Sequence, residues 1–150
     1  MAMSDNELPM TRRTHDLDAV RTLCVQAGLD MQDGPLEGVV VAYGTYIGDR
    51  LIGCATLQFA DGSHFLEYVA VDASFRNRGI GAVLVAKIEE EARSRGMSEL
   101  WAKARSPGFY ERIGFRITSD DEPRPKSLDT CRDCPQFRKS CFPEIVVKRL

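Results

Sequence analysis

The chain has 150 residues, of which 43% are hydrophobic and 28% charged, and its formal net charge is −2. This length suits one domain with its own core, and the balanced charge lacks the overall positive excess typical of nucleic-acid-binding proteins. The sequence has no run of about 18 apolar residues, and the N-terminal residues 1–10 lack the apolar core of a signal peptide. We therefore expect no membrane span and a cytoplasmic protein.

The first elements predicted along the chain are a strand and a helix. Residues 10–14 are a candidate first strand. Residues 15–29 carry apolar side chains at three- and four-residue steps, which predicts an amphipathic helix. Residues 31–38 are rich in turn-forming types and fit either a short second helix or a loop.

Three strand-like runs follow, joined by turns. Residues 38–47 and 50–59 are rich in β-branched and aromatic side chains, and the Gly-Asp pair at 48–49 between them is a hairpin signal. An Asp-Gly pair at 61–62 precedes residues 64–71, a nearly continuous apolar run typical of a strand covered on both faces. The middle of the chain therefore predicts an antiparallel meander.

The second half of the chain predicts alternating helices and strands. Apolar residues from Leu84 to Ala92 form a helical stripe, and Gly96 lies where that helix would end. The remaining predicted elements are a strand at 98–104, a short helix at 106–115, a strand at 115–118, a polar loop at 118–143 and a last strand at 144–150.

A glycine motif lies between the apolar strand and the long helix. Residues 74–84 read SFRNRGIGAVL, with Gly79 and Gly81 one residue apart. A helix N-terminus presents unpaired N–H groups and a partial positive charge, and glycines let an anion approach the backbone. The motif alone fits either an anion site or a turn with solvated charges. It lacks the third glycine of a Rossmann fingerprint and the Gly-Lys-Ser/Thr of a P-loop.

The order of elements, together with two motifs, resembles the GNAT N-acetyltransferase superfamily. The stretch from Arg76 to Ala82 is similar to the family's Gln/Arg-x-x-Gly-x-Gly/Ala motif, and FYERIGF at 109–115 is similar to its Tyr-x-x-x-Gly-Phe segment. The resemblance covers about residues 10–117 plus the last strand. It implies an α/β fold of mixed α+β type, with a central, mostly antiparallel mixed sheet of six to seven strands flanked by about four helices.

With no linker in the sequence, residues 1–150 are expected to form a single domain. Within it, residues 1–8 are expected to be a flexible tail and residues 118–143 a cysteine-containing loop.

The resemblance implies that acetyl-CoA is the co-substrate. Backbone amides after the apolar strand would hold its pyrophosphate, and the strand itself would bond the pantetheine arm and polarise the thioester carbonyl, which stabilises a developing oxyanion. The implied pyrophosphate contacts are Arg76, Asn77, Arg78, Gly79, Ile80, Gly81 and Ala82, and the implied pantetheine contacts are Val69, Ala70 and Val71.

Two side chains are candidate catalytic residues. Tyr110 matches the family's general acid, which protonates the leaving thiolate, although it also fits an ordinary packed aromatic. Glu67 is the candidate general base, because a carboxylate in a buried strand is usually paired or functional. We expect Glu67 on the same face of the strand as Val69 and Val71. If Glu67 is not catalytic, it occupies a partly open position or forms an ion pair with an arginine. His64 is a second candidate base.

Three cysteines cluster near the C-terminus. Cys131, Cys134 and Cys141 have the spacing Cys-x2-Cys-x6-Cys, and Cys-x2-Cys is a recurrent zinc half-site. A zinc site would need a fourth ligand from elsewhere in the fold. Reduced thiols, a redox pair, a disulfide and a loop that shapes the acceptor site are the alternatives.

These observations favour an enzyme that moves an acetyl group from acetyl-CoA to a primary amine of a small molecule, an amino acid or a protein N-terminus. The expected mechanism is direct attack in a ternary complex. Two other functions stay open: an acyl-CoA-sensing module without turnover, and a zinc or redox module that uses the C-terminal cysteines. The expected partners are acetyl-CoA and the amine, without nucleic acid or membrane, and the resemblance implies a homodimer.

Overall fold

The computed structural model describes residues 8–29, 31, 33–128 and 144–150. Seven strands form one sheet in the order β1-β2-β3-β4-β5-β7-β6. The elements are β1 Met10–Arg13, α1 Leu17–Gln26, β2 Val39–Ile47, β3 Arg50–Ala60, β4 Ser63–Val71, α2 Ile80–Ser94, β5 Glu99–Ala104, α3 Pro107–Arg112, β6 Arg116–Ile117 and β7 Glu144–Arg149, with 3₁₀ turns at Ala73–Phe75 and Lys126–Leu128.

The sheet confirms the predicted mixed α/β class and both hairpin turns. All neighbouring strands are antiparallel except β4 and β5, which are parallel. The described residues contain three α-helices and two 3₁₀ turns instead of about four helices. The described part of residues 31–38 is not helical, because Gly34 and Gly38 have φ of +92° and +74°, outside the range of a right-handed helix.

The main core lies between α2 and one face of the sheet. Leu84, Val85 and Ile88 on α2 are fully buried against sheet residues that include Leu57 and Leu100. These positions recur at the three- and four-residue steps that predict the helix, so the buried stripe is the one visible in the sequence. No helix among the described residues is long and apolar enough to span a membrane.

The opposite face of the meander is covered by α1. Its Asp16 cap accepts a hydrogen bond from the Ala19 N–H at 3.1 Å, which fixes the start of the helix. Cys24 on α1 is fully buried and lies 3.7 Å, sulfur to sulfur, from Cys54 on β3. The sheet therefore separates the two helices, with α2 on one face and α1 on the other.

Strand β4 contains a β-bulge. Cys54 of β3 pairs with Ala70 and Thr56 pairs with Glu67, so the single residue between them on β3 faces two residues, Tyr68 and Val69, on β4. Tyr68 has φ of +33°. A bulge of this kind bends the strand and shifts the alternation of its side chains by one.

The other edge of β4 separates from its neighbour. β4 and β5 pair at Leu66 and Ala102, and the ladder between these two described strands includes no later residue of either. The backbone of β4 beyond Leu66 is consequently open toward β5. A cleft forms between the two strands.

We predict that Ile88→Ala lowers the free energy of unfolding by about 2–5 kcal/mol, since it leaves a cavity in the α2 core. Ile88 is 0% exposed, whereas Val83 on the same helix is 48% exposed. Val83→Ala is therefore the control, with a change of about 0.5 kcal/mol or less. Denaturant unfolding measures both, and equal losses would contradict the placement of α2.

Candidate active site

A cleft of about 890 Å³ opens where β4 and β5 diverge. The connection after α1, the second half of β4, the loop before α2 and helix α3 surround it. The predicted residues that line it are Glu67, Val69, Ala70, Val71, Arg76, Asn77, Gly79, Ile80, Gly81, Ala82 and Tyr110. Arg78 is not among the lining residues; its guanidinium lies over the Phe75 ring, 5.2 Å from the centroid.

The start of α2 provides a site for an anion. Gly79 caps the helix in the left-handed conformation, with φ of +79° and no side-chain cap. The first helical hydrogen bond runs from the Val83 N–H to the Gly79 carbonyl at 3.2 Å. The N–H groups of Ile80, Gly81 and Ala82 therefore have no acceptor within the helix and carry its partial positive charge. This arrangement fits a pyrophosphate.

The two glycines of the motif have different physical roles. Gly79 has open space around it and needs glycine for its backbone conformation. A Cβ on Gly81 would lie 3.1 Å from two ring carbons of Phe109 on α3. Gly81 thus lets α3 pack directly on the first turn of α2, a packing role that the motif alone does not reveal.

The open edge of β4 carries backbone groups for an extended ligand. The Asp72 N–H bonds the Ile52 carbonyl at 2.8 Å. Successive residues of a regular strand direct their N–H and C=O groups to opposite edges, so those of Val71, next to Asp72, face the cleft. Arg76 donates its Nε–H to the Val71 carbonyl at 3.3 Å. The edge is suited to hydrogen bonds with the amides of a pantetheine arm.

The expectation that Glu67 shares a face with Val69 and Val71 is wrong. Glu67 lies opposite Thr56, two residues from Cys54, and Cys54 packs on the α1 side. Val69 and Val71 pack against the α2 core. The bulge between them inserts one residue, and the regular alternation on which the expectation rested fails there.

Burial raises the pKa of Glu67, and the neighbouring charge of Lys103 offsets part of this rise. A carboxylate with a raised pKa is a better general base near neutral pH than an ordinary one. The cation that acts on Glu67 is therefore a lysine of β5, where the sequence suggested an arginine. His64, the other candidate base, packs on Phe59 with ring centroids 4.7 Å apart and does not line the cleft.

Tyr110 lies on α3 with its ring edge-on to two aromatic rings. The centroid distances are 5.1 Å to Phe109 and 5.4 Å to Phe115. Burial, followed by the charge of Glu67, raises the pKa of Tyr110 to about 12. The phenol is protonated at neutral pH and can donate a proton. The packed and the catalytic interpretations of this residue are thus compatible.

Sequence reasoning missed part of the cleft. Lys103, Arg105 and Arg112 line it, as do Leu29 and Met31 in the connection after α1. Charged residues at alternate positions of a strand usually indicate a solvated face, and only the divergence of β4 and β5 brings the first two into the cleft. The alternation of cationic residues at positions 103 and 105 was the sequence feature that could have indicated them.

The predicted zinc ligands Cys131, Cys134 and Cys141 lie outside the described residues. Among the residues that are described, no group of three or more His, Cys, Asp or Glu side chains could hold a metal ion. Zinc binding by the three cysteines stays a prediction, which metal analysis of the purified protein checks.

Comparison with known proteins identifies the family to which this fold belongs. The model of the acetyltransferase (GNAT) family matches residues 7–115. The chain belongs to this family. An uncharacterized N-acetyltransferase of Chlorobaculum tepidum is 31% identical over 107 residues, which are 71% of this chain and 66% of that protein, just under two thirds of its length.

Two solved structures share the fold. N-acetylglutamate synthase from Neisseria gonorrhoeae, complexed with coenzyme A and N-acetyl-glutamate, has a TM-score of 0.76 at 22% identity, and the match covers 98% of this chain and 36% of that one. A Mycobacterium tuberculosis protein in complex with CoA has a TM-score of 0.71 at 20% identity, over 94% of this chain and 99% of that one.

We predict that Gly79→Val weakens binding of coenzyme A at least tenfold while the protein stays folded. The side chain strains a left-handed backbone, which costs about 1–2 kcal/mol, and projects where the anion would lie. Gly96 at the other end of α2 also has φ of +79° and open surroundings. Gly96→Val is therefore a matched control for strain. Calorimetry measures the affinity, and equal affinity in both variants would refute the anion site.

We predict that Tyr110 titrates with a pKa of about 12. The neutral phenol is favoured in the folded protein, so its contribution to stability is complete below the ordinary tyrosine pKa near 10 and is lost as the pH rises toward the folded value. The phenolate absorbance of the wild type minus that of Tyr110→Phe isolates this group. A midpoint near the ordinary value would contradict its burial.

Proposed function

We propose that this protein transfers the acetyl group of acetyl-CoA to a primary amine by direct attack in a ternary complex. The observation that carries the proposal is that Glu67 and Tyr110, both with raised pKa values, line the same cleft as the anion site at Gly79. The CoA bound to the Neisseria and Mycobacterium proteins belongs to those proteins, and it supports acetyl-CoA as the substrate here.

In the proposed reaction, the open edge of β4 would bind the donor, and the α1 face of the same strand would bind the acceptor. The anion site would bind the pyrophosphate and the open edge of β4 the pantetheine arm. Glu67 accepts a proton from the acceptor ammonium, and the free amine attacks the thioester carbonyl. The Val69 N–H would stabilise the negative charge on the carbonyl oxygen. When the carbon–sulfur bond breaks, Tyr110 donates its proton to the thiolate, and the surplus proton on the nitrogen of the new amide then neutralises the Tyr110 phenolate.

The cytoplasmic location, the homodimer and the single domain over residues 1–150 stay predictions. The zinc or redox module depends on cysteines outside the described residues. An assay of acetyl transfer separates the sensing module from the transferase.

We predict that Glu67→Gln and Tyr110→Phe each lower kcat/KM for an accepted amine by roughly 10² or more, the range for loss of a general base or acid. Both replacements are nearly isosteric, so the cleft keeps its shape. Acetyl-CoA consumption and thiol release over a panel of amines provide the measurement.

The controls remove the same chemical groups outside the cleft. Glu99→Gln changes an exposed carboxylate on β5. Tyr46→Phe removes a buried hydroxyl that bonds Thr14 at 2.6 Å. Both are expected to keep kcat/KM within about threefold, because neither residue lines the cleft. Tight binding of coenzyme A with no turnover on any amine would instead identify a sensing module.

A further inference from the structure

We propose that the acceptor is an amine with a carboxylate close to its amino group, as in an amino acid, and that Lys103, assisted by Arg105, binds that carboxylate. This inference rests on the proposed function, since it names the substrate class of the same cleft. It selects one of the acceptor types that the sequence leaves open.

The fork between β4 and β5 places Glu67 and Lys103 side by side. Leu66 and Ala102 are the paired residues at the fork, and both are buried in the α2 core. Glu67 and Lys103 are the next residues on the two strands, so their side chains lie on the opposite face, toward α1. Neighbouring strands are about 4.8 Å apart. An anionic and a cationic side chain therefore share the base of the cleft.

The charges of this pair complement a zwitterion. The charge of Lys103 lowers the pKa of Glu67, which is consistent with the adjacent positions of the two groups at the fork. Arg105 follows β5 directly, and it adds a second cation to the same cleft. In an amino acid a single carbon separates the nitrogen from the carboxylate. If Glu67 receives the ammonium proton, the carboxylate therefore lies within reach of Lys103.

The same arrangement disfavours the other acceptor types. A diamine or a polycationic antibiotic would place a second positive charge near Lys103, which is repulsive. A protein N-terminus has a neutral carbonyl where an amino acid has its carboxylate. Leu29 and Met31 contribute apolar surface to the cleft. They offer a surface on which the acceptor's own side chain can pack.

The experiment compares acceptors that differ only at the carboxylate. Each amino acid is assayed beside its amide and its decarboxylated amine, with kcat/KM corrected for the fraction of free amine. A charge-assisted hydrogen bond contributes roughly 1.5–3 kcal/mol, or about 10- to 100-fold. We expect the wild type to prefer at least one amino acid over both analogues by that factor.

Variants at Lys103 assign the preference to this residue. Lys103→Met is expected to abolish most of it, mainly through a higher KM for the amino acid. The decarboxylated amine is expected to lose less kcat/KM than the amino acid, since only the effect of Lys103 on the pKa of Glu67 applies to it. Lys103→Arg keeps the charge and is expected to retain a preference of tenfold or more. Lys87→Met, which removes an exposed cation of α2 outside the cleft, is expected to change neither value.

Several outcomes would overturn the inference. If the wild type uses the amides or decarboxylated amines equally well, the transferase stands and the carboxylate site falls. If Lys103→Met lowers kcat/KM equally for all acceptors, Lys103 only tunes Glu67. If no amine is acetylated, the proposed function fails. Calorimetry of amino acids with the CoA-bound protein then tests the carboxylate site separately. Binding that depends on Lys103 supports the carboxylate site, and absence of binding refutes it.

Discussion

The bulge at Tyr68 and Val69 gives β4 one residue more than β3 can pair, and every later side chain on β4 changes face there. Because of this shift, Glu67 lies toward α1, whereas the side chain of Val69 packs toward α2. The fork beyond Leu66 then opens the edge of β4 toward β5. In the proposed reaction, the acetyl donor and the acceptor would therefore approach the same stretch of β4 from different directions.

The local parts of this structure were predictable from the sequence, since they depend on neighbouring residues. The stripe from Leu84 to Ala92 and the turn pairs at 48–49 and 61–62 specify their elements through periodicity and backbone preference. The bulge was not predictable in this way. It depends on how β3 pairs with β4, and Tyr68 adopts φ of +33°, which its residue type does not indicate.

The candidate site shows the same limit. Gly79, Glu67 and Tyr110 were identified from motifs and from an acid in an apolar strand, and the cleft contains all three. Lys103 was missed, because its position on a strand is typical of a solvated face until two strands diverge. Gly81 was interpreted as part of an anion site, whereas its contact with Phe109 emerges only when α3 is placed against α2.

The partition of the cleft by β4 has a consequence for how such a protein diversifies. Leu29 and Met31 pack with α1 on one side of the sheet, whereas the glycine turn precedes α2 on the other side. Substitutions at Leu29 and Met31 change one reactant's surroundings and leave the other's intact. A preference for a new acceptor can then evolve through single substitutions that do not alter the binding of the donor. A mutant library confined to these positions varies the acceptor in the same way.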